Sequence, residues 1–312
     1  MQKNEIQSYD IIGDIHGHAD ELRSLLENLG YENGNGAYRH PEGRKIIFLG
    51  DYIDRGPKIR EVLEIVRGMV DAGQALAILG NHELNAIRFQ TCGEDGDYLR
   101  PRTPKNVGQH QATLDQFPDP VEWTGWIQWF AGLPLSLDLG DLRVVHASWD
   151  DQAIKGLQGM GRLEGKALAQ YSRKGSSEFD AISRILNGPE ACLPEAFEHQ
   201  TADGAVRQDI RVKWWMPLDG LSCRQMVFPP CDEVPDIAPE SLPHIEPYSE
   251  SAPPVFFGHY AQKDEVPSPI RPNLACLDYG TGKGGFLCAY RWDGEQEIDI
   301  KKFVLSGEPK NS

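Results

Sequence analysis

Residues 45–56 read KIIFLGDYIDRG, and this stretch decides the fold. A short apolar run, typical of a buried strand, ends abruptly in a glycine and a group of charged residues. Residues 9–17 (YDIIGDIHG) and 75–83 (ALAILGNHE) repeat the arrangement on either side of it. Each stretch therefore predicts a buried strand whose carboxyl end delivers polar side chains to one edge of a sheet.

The segments between these strands have the spacing of amphipathic helices. Apolar residues recur every three or four positions through residues 19–29 and 59–70, and Gly30 and Gly73 follow as stop signals. Three strands alternating with two helices predict the start of a largely parallel sheet that is buried by its helices.

Two later strands end in single histidines. Residues 142–145 lead to His146, and residues 255–257 lead through a glycine to His259. Open α/β folds place ligands at the carboxyl ends of their strands, so residues that are distant in sequence can converge there. We therefore expect all five polar motifs to meet at one site.

The composition narrows the classes of function. The chain has 312 residues, of which 40 % are hydrophobic, and this is enough for one large domain. Its net charge of −16 argues against broad binding of nucleic acid or of anionic membranes. No apolar run is long enough to cross a bilayer, and no signal-peptide core follows Met1, so the cytoplasm is the expected location. The six cysteines form no CxxC pair and are expected to be free thiols.

One region differs from the rest of the chain in its composition and in its lack of periodicity. Residues 150–254 contain two helix-like patches, followed by a stretch rich in proline, tryptophan and cysteine with little periodicity. Because this insertion lies between two motif-bearing strands, we expect an irregular cap over the site, within a single domain of residues 1–312. Residues 90–120 form a second irregular stretch, which we expect to be a loop nearby. The sequence does not indicate the oligomeric state.

The polar motifs supply the ligands that divalent metals prefer. Asp14 and His16 can face one cation, and the two oxygens of Asp51 can bridge two cations. The full set of candidate metal ligands is Asp14, His16, Asp51, Asn81, His146 and His259. This mixture of oxygen and nitrogen suits Mn²⁺, Fe, Zn²⁺ or Mg²⁺. Two ions about 3.5–4 Å apart can share a hydroxide for in-line attack at phosphorus. We therefore expect two divalent ions, with Mn²⁺ as the first choice.

Three further residues are candidates for catalysis. His82 adjoins the candidate ligand Asn81 without being needed as a ligand itself, so we assign it the role of general acid. Asp54 is the carboxylate that would orient this imidazole. Arg55 follows it directly, and its planar guanidinium is suited to holding phosphoryl oxygens.

These motifs together resemble those of calcineurin-like metallophosphoesterases, in particular bacterial members of the phosphoprotein-phosphatase branch, whose signatures are GDxHG, GDxxDRG and GNHE. The similarity is strong over residues 9–90 and looser over residues 142–148 and 255–280. The resemblance implies a four-layer α/β/β/α sandwich, of the α+β or α/β class, with the insertion as a cap. It also implies one metal held by Asp14, His16 and Asp51, another held by Asp51, Asn81, His146 and His259, an acid pair of His82 with Asp54, and a phosphate contact from Arg55.

Enzymes of this branch hold the phosphate with a second arginine from the insertion. Arg211 is the candidate here, with Arg184 and Arg207 as weaker ones. Tyr260, which follows a motif histidine, is a further candidate for substrate binding, and packing is the alternative role for it.

The chain departs from the family pattern at several positions. Leu79 stands where an arginine usually precedes GNHE, and residues 147–148 are Ala-Ser where the branch usually has two glycines. Ala261 stands where the broader superfamily often has a second histidine. Asp54 is intact, although symmetrical dinucleoside tetraphosphate hydrolases commonly replace it.

The substrate remains open among three classes of phosphoester. The intact residues 51–56 favour a serine/threonine or dual-specificity protein phosphatase, which is the main prediction. A bacterial-like motif at residues 145–147 and an aromatic insertion favour a dinucleoside polyphosphate hydrolase, and Trp214 with Trp215 could form a wall for a nucleobase or simply pack. A small phosphomonoester is the third class. The expected partners are thus phosphoprotein or nucleotide substrates, without nucleic acid or membrane. An inactive phosphate-binding module is the remaining alternative, disfavoured because every catalytic position is intact.

Overall fold

The computed structural model of the chain describes residues 7–34, 36–194, 197, 199–200 and 206–307. The strands are β1 (Tyr9–Ile12), β2 (Glu32–Gly34), β3 (Ala37–Arg39), β4 (Lys45–Phe48), β5 (Ala75–Ala77), β6 (Ser136–Asp138), β7 (Arg143–Val145), β8 (Glu190–Cys192), β9 (His199–Gln200), β10 (Val206–Arg207), β11 (Asp209–Arg211), β12 (Val255–Phe257), β13 (Leu274–Cys276), β14 (Asp278–Tyr279), β15 (Phe286–Trp292) and β16 (Phe303–Leu305). The helices are α1 (Ala19–Asn28), α2 (Ile59–Asp71), α3 (Asn81–Gln90), α4 (Pro104–Gln116), α5 (Pro120–Phe130), α6 (Asp151–Gly156), α7 (Gly165–Tyr171), α8 (Ser177–Asn187) and α9 (Cys223–Met226). Two short 3-10 turns cover Thr281–Lys283 and Ile300–Lys302.

The first sheet contains the three strands that the opening motifs follow. Its order is β14-β15-β1-β4-β5, and β16 pairs with β15. Strands β1, β4 and β5 are mutually parallel, as the alternation of strand and helix predicts, whereas β15 returns antiparallel to β1. The carboxyl ends of the three parallel strands therefore lie along one edge.

The second sheet carries the two later motifs. Its order is β13-β12-β7-β6, in which β13, β12 and β7 are parallel and β6 is antiparallel to β7. Strands β7 and β12, which precede the two motif histidines, are direct neighbours. This pairing brings His146 and His259 together, although more than a hundred residues separate them in the chain.

Alternation along the strands creates the layers. Ile11 and Ile47 point to one side of the first sheet, where they pack with Val144 and Phe256 of the second sheet. Their neighbours Ile12 and Phe48 point to the opposite side and belong to the cluster formed with α1 and α2. Successive side chains of a strand alternate between faces, so one sequence serves both layers. The predicted α/β/β/α sandwich is confirmed.

The insertion is more ordered than its sequence suggests. Helices α6, α7 and α8 contribute buried residues to the main core, which also contains Trp214. A separate apolar cluster lies within residues 191–234 and includes Ile210, Val212 and Met226. Residues 229–254 contain neither helix nor strand, as expected for that part.

The expectation that residues 90–120 form a loop near the site is wrong only for their second half, because residues 91–103 contain no helix and Arg100 lines the cleft. Helix α4 occupies residues 104–116, with Thr103 accepting the backbone N–H of Asn106 and Pro104 in the first turn. Only His110 and Thr113 of this helix are buried, so its sequence shows no apolar stripe. The cap residue and the proline after it were the available signals.

Two predictions from the sequence concern membrane-spanning helices and the cysteines. Among the described residues, no helix combines the length and apolar character needed to span a bilayer. The six cysteines are free thiols, of which Cys223, Cys276 and Cys288 are buried.

Candidate metal centre and active site

The strand ends of both sheets meet at one cleft of about 910 Å³. Its lining includes Asp14, His16, Asp51, Asp54, Arg55, Asn81, His82, Arg211 and His259. His146 lies directly beneath, with Nε2 3.3 Å from Oδ1 of Asp51. The structure thus brings together all the predicted metal ligands, the three catalytic candidates and Arg211, whereas Tyr260 and the weaker candidate Arg184 do not line the cleft.

The backbone of the site is held in an uncommon conformation. Among the described residues, five that are not glycine have positive φ angles, and each is a predicted site residue. They are His16 (47°), Asp51 (53°), Asp54 (67°), Arg55 (64°) and His259 (66°). Such angles disfavour side chains other than those of glycine and are often found at functional sites. Because all five lie in these loops, the positions of their side chains are maintained there despite the strain in the backbone.

Close approach of the loops explains two of the motif glycines. A Cβ atom at Gly258 would lie 2.0 Å from Oδ1 of Asp14, and one at Gly80 would lie 2.3 Å from the backbone nitrogen of Asp51. Neither contact is possible for a larger residue. The glycines before the motif histidine and asparagine therefore let the two sheets' loops converge on the carboxylates.

Backbone carbonyls fix which nitrogen two imidazoles present to the cleft. Nδ1 of His16 is 2.9 Å from the carbonyl oxygen of Ile53, and Nδ1 of His146 is 2.8 Å from that of Leu49. A carbonyl oxygen only accepts, so each Nδ1 carries the proton and each Nε2 is left with a lone pair. Burial lowers the pKa of His16 to about 3, which keeps its ring neutral. Both Nε2 atoms point toward Asp51, at 3.4 and 3.3 Å.

Asn81 sits between two of these histidines. Its Oδ1 is 3.0 Å from Nε2 of His146 and 3.1 Å from Nδ1 of His259. If the amide is turned over, its nitrogen comes within 3.2 Å of both oxygens of Asp51. The lone pairs of three side chains thus converge on the amide. These lone pairs repel one another unless the amide donates its N–H groups to them or a cation lies among them. With a cation present, Oδ1 of Asn81 becomes a further ligand.

Carboxylates are crowded on the other side of Asp51. Asp14 is buried and accepts the backbone N–H of His259, 3.1 Å from Oδ2. Burial raises the pKa of Asp14 well above its usual range, and the neighbouring carboxylates of Asp278 and Asp51 raise it further. Asp278, the first residue of β14, is also buried, and it was not predicted as a site residue. Buried like charges of this kind are compensated best by a cation.

The residues present fit two divalent ions. Ligand atoms of His16, Asp51 and His82 lie within 4.8 Å of one another, and so do those of Asp51, His146 and His259. Asp51 belongs to both groups, as expected of a residue that bridges two ions. The donor set of carboxylate, amide and imidazole suits Mn²⁺, Fe, Zn²⁺ or Mg²⁺ and gives no preference among them. The first group contains His82 and lacks Asp14, which the sequence predicted as the third ligand of that ion.

His82 and Asp54 form a close pair. Nδ1 of His82 is 2.5 Å from Oδ2 of Asp54. Burial disfavours charge on both groups, but Asp51 and the hydrogen-bonded Asp54 raise the pKa of His82 above its usual value. Burial likewise opposes charge on Asp54, yet its hydrogen bonds to His110 and His82 lower its pKa. The geometry leaves Nε2 of His82 as the atom that faces the cleft, 3.5 Å from Arg55.

Helix α4 holds the other side of the Asp54 carboxylate. Nδ1 of His110 lies 2.7 Å from Oδ1 of Asp54, and the hydroxyl of Thr113 donates to the same oxygen at 2.6 Å. The Thr113 oxygen also accepts the backbone N–H of Asp54 at 3.0 Å. Neither residue was predicted for the site, because helix α4 was not recognised. The His110 ring packs between Phe89 and Trp123, which are tilted against it with ring centres 5.3 and 5.7 Å away.

Cations from different elements surround the cleft. Arg55 comes from the loop after β4, Arg211 ends β11 of the insertion, and Lys283 lies in a turn between β14 and β15. The Nε atom of Arg211 is buried and has no hydrogen-bond partner among the described residues. Of the weaker candidates, Arg184 instead pairs with Asp150 at 2.9 Å, beyond the cleft. The side chain of Arg207 lies outside the described part of the chain.

The aromatic candidates are buried rather than exposed to substrate. Tyr260 is fully buried, its hydroxyl donates to the carbonyl of Val212 at 3.2 Å, and the guanidinium of Arg211 lies 5.4 Å from its ring centre. A direct contact of Tyr260 with substrate is therefore not supported, because the ring lies beneath Arg211. Trp214 is 3 % exposed, and both it and Trp215 pack on Phe257 of β12. They belong to the core, as the packing alternative had it.

The sequence of this chain is similar both to a family of enzymes and to individual proteins. The sequence model of calcineurin-like phosphoesterases matches residues 8–166, just over half of the chain. An asymmetrical bis(5'-nucleosyl)-tetraphosphatase PrpE of Halalkalibacterium halodurans is 50 % identical over 81 residues, which cover 26 % of this chain and 33 % of that protein. Its counterpart in Bacillus velezensis is 34 % identical over 175 residues, 54 % of this chain and 61 % of that protein. The chain thus covers between one third and three fifths of these relatives.

A solved structure is similar over nearly the whole chain. It is a protein serine/threonine phosphatase of Saccharomyces cerevisiae, which superimposes with a TM-score of 0.50 at 12 % identity. The superposition covers 97 % of this chain and 80 % of that one. At this identity the similarity concerns the fold, which is the two-sheet sandwich described above.

Proposed function

Since the chain belongs to the calcineurin-like phosphoesterase family, we propose that it is a metal-dependent phosphoester hydrolase that cleaves dinucleoside polyphosphates. The observation that carries the proposal is the row of cations that adjoins the buried carboxylates and imidazoles. Arg55, Arg211 and Lys283 line the same cleft from three separate elements. Their combined charge suits a chain of phosphates better than a single phosphoryl group.

The similar proteins support this substrate class. The relatives from Halalkalibacterium halodurans and Bacillus velezensis are both named as tetraphosphatases of the asymmetrical type. For this chain, asymmetrical cleavage of diadenosine tetraphosphate would release AMP and ATP. The order of the two candidates expected from the sequence, in which a protein phosphatase came first, is therefore reversed.

Each polar residue has a place in this reaction. Asp14, His16 and Asp51 would hold one divalent ion, and Asp51, Asn81, His146 and His259 the other, with Mn²⁺ as the first choice. When bound, these ions supply an activated water and compensate negative charge at phosphorus. The fixed tautomers of His16 and His146 present lone pairs to the ions without rearrangement.

The remaining residues act on the phosphate and on the leaving group. Arg55 would hold nonbridging oxygens, with Arg211 opposite it from the insertion. His82 would donate the proton on Nε2 to the leaving oxygen, while Asp54 keeps Nδ1 protonated and the ring in place at 2.5 Å. Residues 150–254 would serve as a cap, because Ser183, Asn187 and Arg211 of the insertion line the cleft.

A phosphoprotein phosphatase is the second candidate. The observation that favours it is the intact Asp54, whose pairing with His82 suits leaving groups such as serine or threonine alkoxides, which need a proton. A polyphosphate leaves more readily and needs this acid less. The two candidates therefore differ in how strongly turnover depends on His82.

The test compares substrates under identical conditions. Metal-stripped protein is reconstituted with Mn²⁺ and offered diadenosine tetraphosphate, a phosphothreonine peptide and 4-nitrophenyl phosphate, with products separated by anion exchange. We expect kcat/KM for the dinucleotide to exceed that for the peptide by at least tenfold, with AMP and ATP as products. Faster turnover of the peptide would establish the second candidate, and two ADP per dinucleotide would contradict asymmetrical cleavage.

A further inference from the structure

A second cleft, of about 680 Å³, opens beside the metal cleft. The residues that line both are Arg211, His259, Ala261 and Lys283. A ligand can therefore extend from the metal centre into this second cleft, called here the distal cleft, by crossing between Arg211 and Lys283. None of the proposed chemistry uses the distal cleft.

The walls of the distal cleft are aromatic and partly open. Phe286 is half-buried and stacks on Tyr279, with ring centres 5.0 Å apart and an angle of 16° between the rings. Phe228 and Pro229 also line the cleft, together with the polar side chains of Gln262 and Asp264. A flat apolar face with amide and carboxylate groups beside it has the chemistry that holds a nucleobase and its ribose. A phosphate group alone has no apolar face that could pack on these aromatic rings.

The passage between the clefts is lined by two positively charged side chains, those of Arg211 and Lys283. The Nε atom of Arg211 is buried without a hydrogen-bond partner among the described residues. Desolvation and the positive charge of Arg55 lower the pKa of Lys283, the carboxylate of Asp278 opposes this shift, and Arg211 adds to it. Groups of like charge that face one another in this way are satisfied by an anion placed between them.

We propose that the distal cleft binds one nucleoside of the substrate, with its base against Phe286, while Arg211 and Lys283 hold the phosphates between the base and the metal centre. This inference rests on the proposed function for its choice of a dinucleoside polyphosphate. It extends that function by locating a base-recognition site at the turn of residues 280–286, far in sequence from the metal motifs. The base, rather than the phosphates alone, then determines which phosphoesters bind tightly.

The test uses two competitive inhibitors that differ only in the nucleoside. α,β-Methylene-ADP and methylenediphosphonate are titrated against hydrolysis of 4-nitrophenyl phosphate by the Mn²⁺-loaded protein, and the ratio of their inhibition constants is determined. We expect the nucleotide to bind at least tenfold more tightly. In Phe286→Leu the advantage should fall by about tenfold, since the flat ring on which the base stacks is lost. Phe286→Tyr keeps the flat ring and should preserve the ratio.

A matched control separates recognition from folding. Phe303→Leu makes the same change in β16, where the half-buried ring packs on Tyr290 and lines neither cleft. Its ratio should equal that of the unmodified protein. Equal inhibition constants for the two inhibitors, or an equal change in both caused by Phe286→Leu, would overturn the distal site. Base-dependent inhibition without cleavage of diadenosine tetraphosphate would support the site while overturning the proposed substrate.

Discussion

His110 should control the acid step although it is outside the family motifs. Its Nδ1 donates to Oδ1 of Asp54 at 2.7 Å, while the other oxygen of the same carboxylate meets His82 at 2.5 Å. We predict that His110→Phe, which keeps the ring between Phe89 and Trp123, lowers turnover of an alkyl phosphate about tenfold. Turnover of 4-nitrophenyl phosphate should fall by no more than about twofold, because that leaving group needs little protonation.

The magnitude follows from the contacts of Asp54. A hydrogen bond to a charged group contributes roughly 1.5–3 kcal/mol, and Asp54 is 3 % exposed, so water does not replace a lost donor. Thr113 still donates to Oδ1 at 2.6 Å, which retains part of the support. If about 1.4 kcal/mol reaches the transition state, the rate falls tenfold. His110→Phe with Thr113→Val should lose more than either change alone.

The assay is steady-state turnover of both substrates by Mn²⁺-loaded protein, with bound metal measured in parallel. His110→Asn places an amide N–H near the position of Nδ1 and should recover most of the loss. His244→Phe, at an imidazole with 78 % of its side chain exposed, is the matched control and should change nothing. An equal loss for both leaving groups, or equal rates for the Phe and Asn variants, would refute the role of His110 in supporting the acid.

Three further predictions concern metal, substrate and pH. Asp51→Asn should reduce bound metal and abolish the rise in melting temperature that Mn²⁺ causes in the unmodified protein, since ligands stabilise only the state that binds them; retention of two ions per chain would contradict its bridging role. Arg211→Ala should raise KM for diadenosine tetraphosphate about tenfold, whereas Arg184→Ala, which breaks a pair outside the cleft, should leave KM within twofold. Burial alone would raise the pKa of Asp293, but hydrogen bonds from Arg44 and Lys302 lower this pKa to about 2. The resulting stability is present above the unfolded-state pKa of about 3.9 and is lost as pH falls toward 2. Asp293→Asn should therefore weaken the pH dependence of the free energy of unfolding, measured with urea between pH 5 and 3, by less than about 1 kcal/mol after screening. An unchanged pH dependence would exclude this contribution.

The strands and the motif residues could be predicted because their signals are local. An apolar run followed by glycine and a carboxylate marks both a buried strand and its functional end, as at residues 45–56. Helices α1 and α2 have a clear apolar stripe because they cover a sheet. The pairing of β7 with β12 is not a local property, but the rule that ligands gather at strand ends predicted its result for His146 and His259.

The parts that escaped prediction depend on contacts between distant segments. Helix α4 buries few of its residues, so it lacks the periodicity on which helix prediction depends, and no motif surrounds His110. Asp278 begins β14 but belongs to no motif, and its importance appears only when the neighbouring carboxylates are placed around it. For Tyr260, position beside a motif histidine suggested exposure. In the bend after β12 the ring instead lies inward, beneath Arg211, where its hydroxyl donates to the carbonyl of Val212.

The left-handed residues of the site have a consequence for how this protein can change. Each of the five positive φ angles disfavours the side chain that occupies it, by roughly 1 kcal/mol or more. Glycine at Asp54 or Arg55 would relax the chain and remove a group that the proposed reaction uses. Selection for heat resistance in the absence of metal would therefore enrich inactive sequences, and laboratory evolution toward stability should be directed at positions outside these loops. Under the proposed mechanism, stability and activity place opposite demands on the same five backbone positions of this protein.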